Sequence, residues 1–163
     1  MLASSKYIPS WLLVSAFMVF LMIIIGGITR LTGSGLSMVE WRPLFGFLPP
    51  MSDLEWTRVF ELYKLSPEYI LKNNGIELSE FKKIFFWEYF HRLWGRLIGI
   101  VFIIPFFIFL FLKQLPKQIS NKIFIILALG SIQGVIGWWM VKSGLVNDPS
   151  VSQYRLAIHL SNA

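Results

Sequence analysis

The sequence predicts an all-α integral membrane protein with three full transmembrane helices and the start of a fourth. Of its 163 residues 55% are hydrophobic, the mean hydropathy is +0.62, and 15% are charged, against roughly 25% in soluble chains. Three stretches carry no charge, and the first and third have the roughly 17 to 25 residues that a membrane span needs. These stretches are Trp11 to Thr29, Leu97 to Leu112 and Ile123 to Val141. The second is long enough if its helix begins near His91.

The first stretch is interpreted as a retained membrane helix rather than as a signal peptide. It is long for the apolar core of a signal peptide. It also ends in Gly26-Gly27-Ile28-Thr29-Arg30, which contains no small-x-small cleavage site. The N-terminal stretch therefore counts as a span.

The basic residues of the short loops predict the orientation. The loop between the second and third spans is flanked by lysines and contains no acidic residue, which is typical of loops on the cytoplasmic or matrix side. These lysines are Lys113, Lys117 and Lys122. Lys6 agrees and places the N-terminus inside. Residues 30–90 and the loop 142–154 then lie outside, in a multi-pass protein of a bacterial cytoplasmic membrane or a mitochondrial inner membrane.

The outer segment 30–90 is predicted to contain short amphipathic helices. Ser52 or Asp53 can cap a helix that runs to Lys64. A second amphipathic piece, residues 78–87, leads into the second span. Three prolines exclude a long helix in the first part of the segment; they are Pro43, Pro49 and Pro50.

Composition excludes several classes of function. The chain has no cysteine, which excludes disulfides, iron–sulfur clusters and thiolate zinc sites. The net charge of +6 does not indicate nucleic-acid binding, because the segment 29–96 is nearly balanced, with nine Lys and Arg against eight acids. The excess positive charge lies in the lysines that predict the orientation.

The chain has two histidines, His91 and His159, and each lies at the entrance of an apolar stretch. Ionisable residues at such positions are candidates for a functional site, because hydrocarbon penalises them heavily. The predicted orientation puts both near the outer end of an inward-running helix, at one depth. Two imidazoles at matched depth can supply the two axial ligands of a haem iron. The alternative for each is an interfacial histidine bonded to a carbonyl.

Glycines share the predicted helix face of His91. Gly95 lies at i+4 and Gly99 at i+8, where they would clear space for a flat macrocycle. The alternative is a contact between helices through small residues. Gln133 and Gly134 in the third span have the same two interpretations.

Three arginines near the same outer level are candidates for binding haem propionates, since guanidinium groups pair with carboxylates in a bidentate manner. They are Arg92, Arg96 and Arg155. Arg30 falls on the same side. The alternative is snorkelling of interfacial arginines.

Glu88 is the candidate catalytic residue, as an acid, a base or the holder of a water beside the haem edge. The alternative is an intrahelical pair with Arg92 at i+4. Glu88 and His91 also match half of a di-iron carboxylate site. Such a site needs a second copy and further carboxylates, which the other spans lack.

Several motifs, in order along nearly the whole chain, resemble those of the haem A synthase family. Two of them read EYFHRLWGR and YRLAIHL and contain the histidines. The motifs are Gly26–Met38, Glu40–Pro43, Glu88–Arg96, Gln133–Leu145 and Tyr154–Leu160. The cysteine-free outer loop resembles the mitochondrial and alphaproteobacterial branch.

The resemblance implies half of an eight-helix bundle built from two related four-helix halves, each with a histidine pair for a haem. Residues 1–163 would be the N-terminal half, truncated within its fourth helix, with the C-terminal half absent. His91 and His159 would be the axial ligands at the haem O site, and Glu88 the glutamate held important for oxidation. The other pair, for haem b, has no counterpart here.

The activity implied by the resemblance is oxidation of the C8 methyl of haem O to a formyl group, which gives the haem A of cytochrome c oxidase. Haem O synthase and the assembly of the oxidase would be functional partners. The chain would lie in membrane lipid, a homo-oligomer is compatible with it, and no nucleic acid is expected to bind. One alternative is a non-catalytic bis-histidine cytochrome b that carries electrons in the membrane. Another is a truncated, inactive chain.

Overall fold

The computed structural model describes residues 6–40, 47–146 and 149–163, and within them the chain forms six helices and no strand. Three helices are long and apolar enough to cross a membrane, namely α1 (Tyr7–Leu31), α4 (Leu78–Phe111) and α5 (Lys117–Gly144). The other helices are α2 (Asp53–Lys64), α3 (Pro67–Leu71) and α6 (Gln153–Asn162). The predicted all-α membrane architecture is confirmed.

Helix α4 is longer than the second predicted span. The amphipathic piece 78–87 continues into the apolar stretch without a break, so α4 has 34 residues and is about 51 Å long. Its start is capped by Glu80, whose Oε2 accepts a hydrogen bond of 3.3 Å from the backbone N of Glu77. His91 therefore lies well inside a helix, as the length of the span requires.

The segment between α1 and α4 contains the predicted capped helix and one helix that was not predicted. Ser52 caps α2, since its Oγ accepts from the backbone N of Glu55 at 3.3 Å. Helix α3 begins with Ser66 as its cap and Pro67 in its first turn. Trp41, Arg42 and Pro43 of the motif Glu40–Pro43 lie outside the described residues.

An aromatic cluster holds α2 and α3 on the first turns of α4. Its members are buried and lie in contact, with ring centroids of consecutive pairs about 5 to 6 Å apart. They are Phe60, Tyr63, Phe81 and Phe85. This cluster fixes the connecting segment at the end of the bundle where α1 ends and α4 begins.

Helices α1 and α4 form an antiparallel pair joined by two indole hydrogen bonds. Trp11 Nε1 donates to the carbonyl of Val101 at 2.9 Å, and Trp94 Nε1 donates to the carbonyl of Met18 at 3.0 Å. Residues later in α1 therefore pack against residues earlier in α4. This register brings Gly26 opposite His91.

Helices α5 and α6 form a second antiparallel pair. Asn162 Nδ2 donates to the carbonyl of Leu129 at 3.3 Å, and Arg155 Nη1 donates to the carbonyl of Trp139 at 2.8 Å. The first turns of α6 therefore lie against the last turns of α5. His159 is carried by this pair and His91 by the other.

The two pairs are joined far from the histidines by an apolar cluster from α1, α4 and α5. Its buried members are Ile8, Trp11, Phe102, Phe106 and Ile123. The opposite end, where α1 and α5 finish and α6 begins, is called the histidine end. Each histidine lies a few turns below that end.

Candidate haem-binding site

The imidazole of His91 lies against the backbone of α1. A Cβ placed at Gly26 would be 3.5 Å from His91 Nε2, so the ring is in contact with that glycine. None of the described residues forms a hydrogen bond with this imidazole. Its nitrogens therefore have no partner within the described protein.

The imidazole of His159 lies against α5 in the same manner but more tightly. A Cβ at Gly137 would be 3.1 Å from His159 Cε1, which is closer than ordinary contact. His159 Nδ1 is buried without a hydrogen-bond partner among the described residues. A buried polar atom without a partner costs about 1 to 3 kcal/mol, so a partner for this nitrogen that the described residues do not provide would stabilise the site.

Gln133 fixes the backbone around His159. Its Nε2 donates to the carbonyl oxygen of His159 at 2.9 Å and lies 3.4 Å from the ring Nε2. Its Oε1 accepts from Asn162 Nδ2 at 2.8 Å. Gln133 therefore holds the turn of α6 that carries the ring.

The two histidines come from different helix pairs, His91 from α4 and His159 from α6. Each has a glycine behind it, and His159 has an unsatisfied buried nitrogen. This donor set fits the two axial nitrogens of a haem iron. Within the described ranges no three His, Cys, Asp or Glu side chains converge as a cation site, so the di-iron alternative gains no support.

Glu88 is 3% exposed and holds the loop that follows α1. Its Oε2 accepts from Ser37 Oγ at 2.7 Å and from the backbone N of Met38 at 2.8 Å. Its Oε1 accepts from Arg92 Nη2 at 2.5 Å. The intrahelical pair with Arg92 therefore forms, and the same carboxylate also fixes a loop fifty residues earlier in the chain.

The candidate arginines make protein contacts of different kinds. Arg92 also donates to the carbonyl of Met38 at 3.4 Å, and the guanidinium of Arg96 lies 5.1 Å from the ring centre of Phe47. Both line a cavity of about 270 Å³ beneath the loop. Arg155 lies over the ring of Trp139 at 4.3 Å. Their role towards propionates stays a prediction.

The glycines predicted to admit a macrocycle differ in their surroundings. A Cβ at Gly95 would be 3.3 Å from Met22 Cε, so this glycine lies at the contact between α4 and α1. Gly99 and Gly134 have no atom within 4 Å of such a Cβ. The glycines in contact with the histidines are Gly26 and Gly137, which the motifs contained but the helix-face argument did not select.

A buried carboxyl group in α3 was missed by the sequence analysis. Glu68 is 6% exposed, and its Oε2 accepts from Tyr63 OH at 3.0 Å, while Asn73 Nδ2 donates to that hydroxyl oxygen at 2.7 Å. Burial raises the pKa of Glu68 to about 7, Tyr63 and Lys72 oppose the rise, and the charge of Glu88 adds to it. Ser66 and Pro67 are the local features that could have indicated the start of α3, but nothing in the sequence indicates that its glutamate is buried.

Comparisons with known proteins show which family and which relatives the chain is similar to. The family model COX15-CtaA, described as cytochrome oxidase assembly protein, matches residues 9–163. Proteins named heme A synthase are similar: 53% identical over 161 residues in Nitrosospira multiformis, 52% over 161 in Rhodospirillum centenum and 49% over 162 in Flavobacterium psychrophilum. These alignments cover 98 to 99% of this chain and 43 to 48% of the relatives, so the chain spans about half their length. No solved structure matches significantly.

Proposed function

Because the chain belongs to the COX15-CtaA family of cytochrome oxidase assembly proteins, we propose that it forms the haem O site of a haem A synthase. In this proposal the C8 methyl of haem O is oxidised to a formyl group, which yields haem A for cytochrome c oxidase. The observation that carries the proposal is the pair of imidazoles supplied by two helix pairs, each against a glycine. The unsatisfied Nδ1 of His159 supports it.

The residues of the chain bind and orient the substrate. His91 and His159 would hold the iron, which when bound supplies the redox chemistry. Gln133 would keep His159 in place through its bond to the backbone carbonyl. Gly26 and Gly137 let both rings lie close to the neighbouring helices, an arrangement that would leave the iron-facing side of each ring to the macrocycle.

Glu88 is the proposed catalytic residue. Among the described residues Arg92 alone donates to its Oε1, so one lone pair of that oxygen can accept a proton or the hydrogen of a water. Glu88 lies one helical turn before His91 on α4, which puts it beside the ligand. Arg92, Arg96 and Arg155 are proposed to attract the propionates, with Gly95 as a further contact.

The proposed orientation places the histidine end on the outer side of the inner membrane. The loop between α4 and α5 lies at the opposite end and is flanked by Lys113 and Lys117, which favours the cytoplasmic or matrix side for it. The substrate would come from haem O synthase and the product would pass to oxidase assembly. Haem b would occupy the related second half of the complete protein, and residues 1–163 would be the first half.

The test is chromatography of the haems extracted from membranes that contain the chain, or a version extended through the second half. We expect haem A or its hydroxylated intermediate from the extended version, and loss of both in His91→Ala and His159→Ala. Ser131→Ala, at an exposed position of α5, is the matched control.

Unchanged haem A in both histidine variants would overturn the proposal. Bound haem that both variants lose, without haem A in the extended version, would instead indicate the bis-histidine cytochrome b.

A further inference from the structure

At the histidine end, the two helix pairs meet where the loop after α1 contacts the end of α5. A Cβ placed at Gly144 would lie 2.7 and 2.8 Å from the two methyl carbons of Leu36, and 2.9 Å from the carbonyl oxygen of Ser150. Ordinary carbon contacts are about 3.5 to 4.0 Å, so the glycine is required for this approach. Leu36 is 2% exposed, and Gly144 is buried as well.

Leu36 cannot move away freely, because the residues that follow it are bonded to α4. Ser37 Oγ and the backbone N of Met38 both donate to Glu88. Leu36 is therefore held by the helix that carries His91.

Ser150 is also held, because it leads directly into α6. Lys72 Nζ donates to Ser150 Oγ at 2.6 Å, and the backbone N of Ser152 donates to Ser143 Oγ at 3.1 Å. The carbonyl that faces Gly144 therefore belongs to the start of the helix that carries His159. A continuous set of contacts thus runs from α4, through the loop and Gly144, to α6.

Gly144 and Gly137 are seven residues apart, which puts them on one face of α5, about 10 Å apart along its axis. Gly144 meets the loop and Gly137 meets the ring of His159. A displacement of α5 at its end is therefore transmitted to the helix face against which His159 lies.

We propose that Gly144 is a positioning residue, which sets the spacing of His91 and His159 by letting the α5–α6 pair close onto Leu36. A methyl group at this position would have to push the loop or the start of α6 away by about 1 Å, the difference between the observed space and ordinary contact. Binding constellations tolerate displacements of about 0.5 Å. The consequence for haem binding rests on the proposed function, whereas the effect of Gly144 on the spacing of the two helix pairs does not.

The absence of cysteine makes the spacing measurable with spin labels on introduced cysteines. Phe86 on α4 is 52% exposed and Tyr154 on α6 is 85% exposed, so Phe86→Cys and Tyr154→Cys provide one label on each pair. Electron–electron distance measurements in lipid nanodiscs compare the labelled parent with Gly144→Ala. The matched control is Gly130→Ala on the same helix, where a Cβ meets no atom within 4 Å.

We expect Gly144→Ala to lengthen the label distance by about 1 Å or to broaden its distribution, with the distribution of Gly130→Ala superimposing on that of the parent. Adding Leu36→Ala to Gly144→Ala removes two of the three close contacts and should restore part of the parent distribution. If Gly144→Ala does not fold, Leu36→Ala alone opens the same contact without added atoms and should broaden the distribution. Superimposable distributions for the parent and the folded variants would overturn the proposal.

The second readout is the absorption spectrum after loading with haem. Gly144→Ala should lose six-coordinate, bis-histidine character and gain binding of carbon monoxide, while Gly130→Ala keeps the parent spectrum. A changed distance with an unchanged haem spectrum would contradict the role in ligand spacing. If the parent itself binds no haem, the proposed function fails, and the distance measurements still decide whether Gly144 sets the spacing.

Discussion

Replacing Glu88 by glutamine should release the loop that follows α1. The native carboxylate is 3% exposed and accepts hydrogen bonds from Ser37 Oγ, the backbone N of Met38 and Arg92 Nη2. A glutamine of the same shape keeps one acceptor oxygen but turns an NH₂ group towards a donor. At least one buried donor therefore loses its partner, and Arg92 loses its counter-charge.

The expected size of the effect follows from the burial of the pair. Removing one partner of a buried ion pair costs about 3 to 5 kcal/mol. The side chain of Arg92 is 18% exposed and that of Glu88 4%, so water compensates Arg92 in part and the lower limit applies. If the free energy of closing the loop becomes less favourable by about 3 kcal/mol, the ratio of closed to open loop falls about a hundredfold, at about 1.4 kcal/mol per factor of ten.

Hydrogen exchange at the amide of Met38 measures this equilibrium directly, because that N–H donates to Glu88. Mass spectrometry of the chain in detergent micelles should show exchange about a hundredfold faster in Glu88→Gln. The control is Glu40→Gln, which breaks a pair with Arg58 whose side chains are 36% and 42% exposed. Exposed pairs contribute about 0 to 1 kcal/mol, so exchange at Met38 should change little there.

The double variant Glu88→Gln/Arg92→Gln should recover part of the protection, because no charge is then left buried without a partner. Equal exchange rates at Met38 in the parent and in Glu88→Gln would refute the reasoning. Glu88 would then not hold the loop, and any loss of haem A in that variant would point to chemistry alone.

Other features of the structure lead to three further predictions. Burial raises the pKa of Glu68 to about 7, against an ordinary 4.5, so its stabilising contribution is complete below about pH 4.5 and is lost as pH rises through 7. The free energy of unfolding should fall by about 3 kcal/mol over this pH range. Denaturant titrations at several pH values should show this decrease in the parent but not in Glu68→Gln. Gly137→Ala should displace the ring of His159, since the added Cβ would be 3.1 Å away, and should lower haem retention on dialysis, whereas Gly130→Ala should leave retention unchanged. Trp94→Phe removes one indole bond between α1 and α4 and should lower the free energy of unfolding by about 1 kcal/mol, measured by circular dichroism during titration with a denaturing detergent.

Much of the helical framework was predictable because its signals are local. Uncharged stretches predicted α1, α4 and α5, and Ser52 predicted the start of α2. The second span was expected to begin near His91, with the amphipathic piece 78–87 leading into it, whereas the two form one helix that begins at Leu78, because nothing in the sequence terminates the first piece. Helix α3 is short, and the local signal of Ser66 and Pro67 was too brief to be distinguished from a turn.

By itself the sequence determined that the chain is helical and apolar, and that its two histidines lie in helices that enter from one side. The spacing of charged and hydrophobic residues along the chain contains that information, because the formation of each helix depends on residues that are close in sequence. Only the tertiary structure decided that His91 lies on Gly26 and His159 on Gly137, and that Gly144 lets the two pairs close. It also decided that Glu88 holds a loop fifty residues away and that Glu68 is buried. These contacts join distant parts of the chain, and they depend on helix register and packing that no local pattern specifies.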